Sequence, residues 1–149
     1  MTIVVDVANV MGSRPDGWWR DRAGAAARLH GAIVRLAASG RATLPDDNTV
    51  TPGFVVVLEG AAKAAPIPAA PTSAAPTSAA EPGAADPVKP GEVRVVRAPG
   101  SGDDAIVAVV RELPGRRVVV TADRELRARC VAAGAEILGP GWLLGLLRG

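Results

Sequence analysis

Four aspartates carry the chemistry that this sequence can perform. Asp6 lies inside the apolar, β-branched run Ile3-Val4-Val5-Asp6-Val7. Asp103 and Asp104 stand together after Ser101-Gly102, and Asp123 follows Val118-Val119-Val120-Thr121-Ala122. A carboxylate at a helix start is favourable through capping and the helix dipole alone, so Asp104 and Asp123 each have a capping reading as well as a catalytic one. Asp6 has no capping duty evident from sequence, and an unpaired carboxylate in a buried strand is costly. Carboxylates gathered at one place raise each other's pKa values, and a divalent cation resolves the repulsion. The whole chain has one histidine, His30, and one cysteine, Cys130. An all-oxygen donor set favours Mg²⁺ or Mn²⁺ over zinc. Such an ion lowers the pKa of water and stabilises charge on a phosphoryl group, so the chemistry indicated is metal-assisted phosphodiester hydrolysis.

The elements that must position these residues alternate along the chain. Ile3–Val7, Phe54–Leu58, Val93–Arg97, Val118–Val120 and Glu136–Leu138 read as short strands, mostly apolar throughout, as in a sheet covered on both faces. Helical spacing of Leu29, Ala32, Ile33 and Leu36 predicts a first helix over Trp18–Ser39, closed by Gly40. Ile106, Val109, Val110 and Leu113 form the buried face of a second helix, opened by Ser101 with capping-box spacing and ended by Pro114-Gly115. A third helix follows Asp123, buries Leu126, Cys130 and Ala133, and closes at Gly134. A last one starts at Pro140 and carries Trp142, Leu143, Leu146 and Leu147. The stretches 12–17 and 41–52 read as loops. Strands alternating with helices make a parallel α/β sheet with right-handed crossovers. Working groups in such folds lie beyond the carboxyl ends of the strands, where all four aspartates fall.

The 149 residues are 48% hydrophobic and 21% charged, which fits one globular domain. The 31 residues from Ala61 to Gly91 include 12 alanines and 7 prolines, with Ala-Ala-Pro-Thr-Ser twice in tandem. They read as a flexible insertion in a single domain spanning residues 1–149, and the other 118 still suffice for one core. A single cysteine excludes an intramolecular disulfide and a multi-cysteine zinc site. The N-terminal run is interrupted by Asp6 and has no basic flank, so the expectation is a cytoplasmic protein without a signal peptide. Of the 17 basic residues, 15 are arginine, the side chain suited to bidentate phosphate contacts, although genome composition alone can give the same bias.

At this point the residues resemble a family. Asp6-Val7-Ala8-Asn9 looks like the opening motif of NYN-type domains in the PIN-like nuclease superfamily. Asp103-Asp104-Ala105-Ile106 is similar to that superfamily's acidic helix start, and Val119-Val120-Thr121-Ala122-Asp123 to its fourth-strand signature. The small YacP-like branch is the nearest match, over the whole chain except roughly residues 61–91. The resemblance implies a three-layer α/β/α sandwich with strand order 3-2-1-4-5 and an Mg²⁺- or Mn²⁺-dependent endoribonuclease. It makes Asp6, Asp104 and Asp123 metal ligands, with Asp103 the alternative or second ligand of its pair. It has Asn9 orient the attacking water or a phosphate, and Thr121 hydrogen-bond near Asp6 or a ligand. Many PIN domains supply a further acidic residue; Asp21 and Glu59 are the candidates here.

The substrate side is read from Arg14, Trp18, Trp19 and Arg20, which follow the first motif closely and combine phosphate-binding arginines with rings that stack on unpaired bases. One tryptophan is expected in the core. Arg97, Arg124 and Arg127 are further rim candidates, whereas Arg22, Arg28 and Arg35 read as the solvated face of the first helix. His30 reads as an ordinary surface or partly buried histidine, Cys130 as a small core residue. The Trp142–Leu147 stretch reads as packing on the last strand, with a homodimer contact as its alternative. The expected partner is single-stranded RNA, and a non-catalytic RNA- or ribosome-associated module on the same fold is the competing reading. A haloacid-dehalogenase-type phosphohydrolase would want a second aspartate where Ala8 stands, and there is no glycine-lysine phosphate loop.

Overall fold

A computed structural model describes residues 1–12, 21–45, 47–59, 88–98 and 100–148. In chain order, β1 (Thr2–Asp6) runs directly into α1 (Val7–Gly12), followed by α2 (Arg22–Ser39). The two-residue strands β2 (Ala42–Thr43) and β3 (Thr49–Val50) precede β4 (Gly53–Leu58). Then come β5 (Val93–Arg97), α3 (Gly102–Glu112), β6 (Arg117–Val120), α4 (Arg124–Ala132), β7 (Glu136–Leu138) and α5 (Pro140–Arg148).

Five strands form one sheet in the order β5-β4-β1-β6-β7, every neighbouring pair parallel. Counted among themselves, this is the order 3-2-1-4-5. The central strand β1 is buried along its whole length, which is why it reads as an unbroken apolar run ending in a carboxylate. Side chains alternate across the sheet with period two. Ile3, Val5, Phe54, Val56, Leu58, Val118 and Val120 meet α1, α2 and α5 on one face, where Leu29, Ile33 and Leu143 complete the core. Val4, Val55, Val57 and Val119 meet α3 and α4 on the other, with Ile106, Val110, Leu126 and Cys130. The result is a three-layer α/β/α sandwich with a PIN-like architecture.

Helix ends follow local chemistry. Asp21 caps α2 by accepting from Gly24 N at 2.9 Å, and Gly40 ends it with φ 78°, a left-handed conformation that glycine adopts without a Cβ penalty. Trp142 donates its indole N–H to Thr43 O at 2.9 Å, tying α5 to the β2–β3 ribbon.

Three local features differ from the sequence expectation. Val7 begins a helix instead of ending a strand: Val7, Val10 and Met11, three and one residues apart, turn one buried face inward. Residues 41–52, read as a loop, contain the antiparallel β2–β3 ribbon, in register Ala42↔Val50 and Thr43↔Thr49. The expected insertion ended at Gly91, yet Val88 is buried among the side chains under α3. A Cβ on Gly53 would lie 2.5 Å from Val88 Cγ1, so only glycine admits that close approach. The remainder of the insertion, residues 61–87, and the expected start of the first helix at Trp18 lie outside the described residues.

Candidate active site

The pleat decides which edge residues share a side. Val4, Val119, Val55 and Val57 point toward α3 and α4. Two residues further along their strands, Asp6, Thr121 and Glu59 therefore project on that same side, at the carboxyl ends of β1, β6 and β4. α3 brings its first turn, with Asp103 and Asp104, to the same edge.

Asp6 is held by both oxygens. Asn9 N donates to Oδ1 at 3.3 Å, and the Thr121 hydroxyl donates to Oδ2 at 3.0 Å. The first bond is an N-cap contact to the third residue of α1, so Asp6 has a capping duty that the sequence did not reveal. Thr121, fully buried, also accepts from Asp123 N at 3.1 Å. Ala122 N donates to Asn9 Oδ1 at 2.8 Å. These four bonds close a ring that fixes the β1–α1 corner against the β6–α4 corner. Asn9 and Thr121 are thus braces of Asp6 and of the segment entering α4. Asp123 caps α4 through Leu126 N at 3.0 Å.

The electrostatics centre on Asp6 and Asp103. Asp6 is 5% exposed, and burial raises its pKa to about 6. The Thr121 and Asn9 bonds pull it back, while Asp103 and Glu59 push it up. The Asp103 carboxyl is also raised, by burial first and then by Asp123 and Glu59, against which Arg129 works. Glu59 accepts from Gly102 N at 3.2 Å, at the start of α3. A Cβ on Gly102 would come within 2.5 Å of Glu59 Oε1, so glycine lets this carboxylate sit against the helix.

Asp104 faces elsewhere. It accepts from Arg129 Nη2 at 2.8 Å with its side chain 72% exposed. Adjacent residues point about 100° apart around a helix, which separates it from Asp103. Asp21 is occupied in capping α2. Arg124 is exposed at the start of α4. Arg97, with Val93 and Val95, belongs to the opposite face of the sheet. There it acts on the buried His30, whose pKa is lowered by burial first and by Arg97 second. Cys130 is in the core, and burial raises its thiol to about 11. Arg14, Trp18, Trp19 and Arg20 lie outside the described residues. The sequence had not singled out Arg129. Nothing but the docking of α4 on α3 distinguishes it from Arg124 and Arg127.

The donor chemistry at this edge suits a hard divalent cation: a buried carboxylate, two further acids acting on it and no nitrogen or sulfur ligand. In the present side-chain arrangement, however, no three acidic, histidine or cysteine residues among those described are gathered closely enough to hold a metal ion. Glu59 and Asp123 are engaged instead with the backbone N–H groups of Gly102 and Leu126. No described helix is long and apolar enough to cross a membrane.

The sheet order, the two helical layers and the acidic carboxyl edge define a chain of PIN-like α/β/α architecture. Among solved structures it is similar to Rae1 (YacP) from Bacillus subtilis, determined as a single-substitution mutant. The likeness has a TM-score of 0.60 at 14% sequence identity and covers 99% of this chain and 74% of that one. No protein-family model matches the sequence, and no curated protein matches it.

Proposed function

We propose that this chain is a metal-dependent endoribonuclease that hydrolyses phosphodiester bonds of single-stranded RNA. The observation that carries the reading is Asp6: a buried carboxylate at the end of the central strand, its pKa raised to about 6, facing Asp103 and Glu59. Structures tolerate such a charge where function requires it, and strongly perturbed groups cluster at functional sites. The motif resemblance and the fold likeness to Rae1 (YacP) support the same reading.

In this proposal Asp6 and Asp103 hold Mg²⁺ or Mn²⁺, and Asp123 and Glu59 complete the donor set by turning from the backbone groups they now cap. Asp104 is left out of the ligand set because it is bonded to Arg129. The cation, when bound, supplies the charge that lowers the pKa of water and offsets charge on the phosphodiester. The protein residues preorganise the edge. Thr121 and Asn9 hold both oxygens of Asp6, so little reorientation is left to the moment of reaction. Arg14, Trp18, Trp19, Arg20 and Arg124 are proposed as the surface for phosphates and unpaired bases.

The test is cleavage of an end-labelled single-stranded RNA by the wild type, Asp6→Asn and Asp123→Asn, with Mn²⁺, Mg²⁺ or EDTA. The reading expects cleavage that requires the cation and falls at least about 100-fold in both variants. Equal activity in all three proteins would reveal contamination and sink it. The second reading, a non-catalytic RNA- or ribosome-associated module, is favoured by the absence of a gathered carboxylate trio among the described residues. Saturable RNA binding without cation uptake would support that alternative.

A further inference from the structure

Resting on that reading, we infer that Arg129 receives an RNA phosphate at the acidic edge and that Asp104 positions it there. Asp6, Glu59, Asp103 and Asp123 are four carboxylates, and a single divalent cation leaves such a set net negative when all are ionised. A polyanion approaching this edge must meet a further cation. Among the described residues, Arg129 is a basic side chain that acts on Asp103. In return Arg129 feels Asp103 and Glu125 beside Asp104, so its exposed guanidinium is within electrostatic reach of the acidic edge.

Its geometry suits an exchangeable contact. One nitrogen, Nη2, is bonded to Asp104 Oδ1, and the side chains of the pair are 40% and 72% exposed. A guanidinium carries five N–H donors in a planar fork, which matches two phosphate oxygens. An exposed ion pair of this kind contributes little to stability, so swapping the Asp104 carboxylate for a phosphate, or sharing Arg129 between them, costs the fold little. Asp104 then acts as a positioning residue, keeping the guanidinium beside Asp103 before RNA arrives. Arg97, by contrast, belongs to the other face of the sheet.

The test measures RNA affinity and cation affinity separately. A labelled single-stranded RNA of roughly 12 nucleotides is titrated by fluorescence anisotropy across a NaCl series with Ca²⁺ in place of Mn²⁺, the strand being checked for integrity afterwards. Mn²⁺ affinity is measured by calorimetry. Arg129→Ala is expected to weaken RNA binding about tenfold and to reduce the slope of log affinity against log salt by about 0.7, the value for one lost phosphate contact on a single strand. Mn²⁺ affinity should stay within about twofold, Arg129→Lys should restore the slope, and Asp104→Asn should keep the slope and Mn²⁺ binding while weakening RNA binding about threefold, because the guanidinium is no longer held in place. An unchanged salt slope in Arg129→Ala, in a protein that binds Mn²⁺ and cleaves RNA, would overturn the assignment and leave the nuclease reading standing. Loss of Mn²⁺ binding in Asp104→Asn would overturn it too, by making Asp104 a ligand. Wild type that takes up neither Mn²⁺ nor RNA would bring down both.

Discussion

The Thr121 hydroxyl lies 3.0 Å from Asp6 Oδ2, and 115 residues of sequence separate the two. The bond joins the ends of adjacent parallel strands, and the same hydroxyl accepts from Asp123 N. Thr121→Val keeps the shape and removes both interactions, leaving Asp6 short of a donor in a buried position. The expected cost is about 1–3 kcal/mol in chemical denaturation, together with a further rise in the Asp6 pKa, because this bond lowers it. Thr121→Ser should recover most of the loss.

Asp6 should make the metal-free protein less stable as pH rises. Its folded pKa, about 6, is above the reference 3.8, so between those values the folded chain binds more protons than the unfolded one. Stability attributable to Asp6 is therefore greatest below pH 4 and is lost as pH climbs toward 6, by about 3 kcal/mol in total. Burial is the main cause, with Asp103 and Glu59 adding to it. In EDTA, Asp6→Asn should be more stable than wild type above pH 7, and the difference should close toward pH 4. A wild type that is less stable than the variant at every pH by the same amount would show that Asp6 does not titrate in this way.

Glu59 and Asp21 were both candidates for the further acidic ligand, and their surroundings separate them. Glu59 acts on Asp6 and Asp103, whereas Asp21 caps α2. Glu59→Gln can still accept from Gly102 N but loses its charge, so Mn²⁺ affinity should fall about 10- to 100-fold with little change in Tm. Asp21→Ala should cost about 1 kcal/mol of stability and leave Mn²⁺ affinity unaltered. Calorimetric titration of both variants checks the contrast.

Trp142→Phe removes the indole donor to Thr43 O while keeping an aromatic ring on α5. The expected loss is about 1 kcal/mol, with faster hydrogen exchange at the β2–β3 ribbon that this bond holds. Exchange unchanged in the ribbon would mean that the bond does not restrain it.

Much of this fold is written in apolar runs. Phe54–Leu58 and Val118–Val120 can be read as strands because a parallel sheet buried on both faces needs near-continuous Val, Ile and Leu. The strand-end rule then brings Asp6, Asp103 and Asp123 to one edge. Other features have no such signal. Helix α1 is one and a half turns long and starts without a break from a strand, so its capping aspartate looks like strand sequence. The two-residue strands of the ribbon lie in a polar stretch around Pro45, where turn chemistry dominates the pattern. Asp103 and Asp104 are neighbours of the same type. Only the docking of α3 turns one toward Asp6 and the other toward Arg129. The face on which Glu59 projects depends on pairing between β4 and β1, which sequence distance conceals.

The edge around Asp6 and Asp103 is proposed to hold a divalent cation. The most direct measurement is calorimetric titration of Mn²⁺ into metal-free wild type, Asp6→Asn, Asp103→Asn and Asp104→Asn above pH 7. Wild type and Asp104→Asn should bind saturably, and affinity should be reduced at least about tenfold in Asp6→Asn and Asp103→Asn. No binding by the wild type, or loss confined to Asp104→Asn, would contradict it.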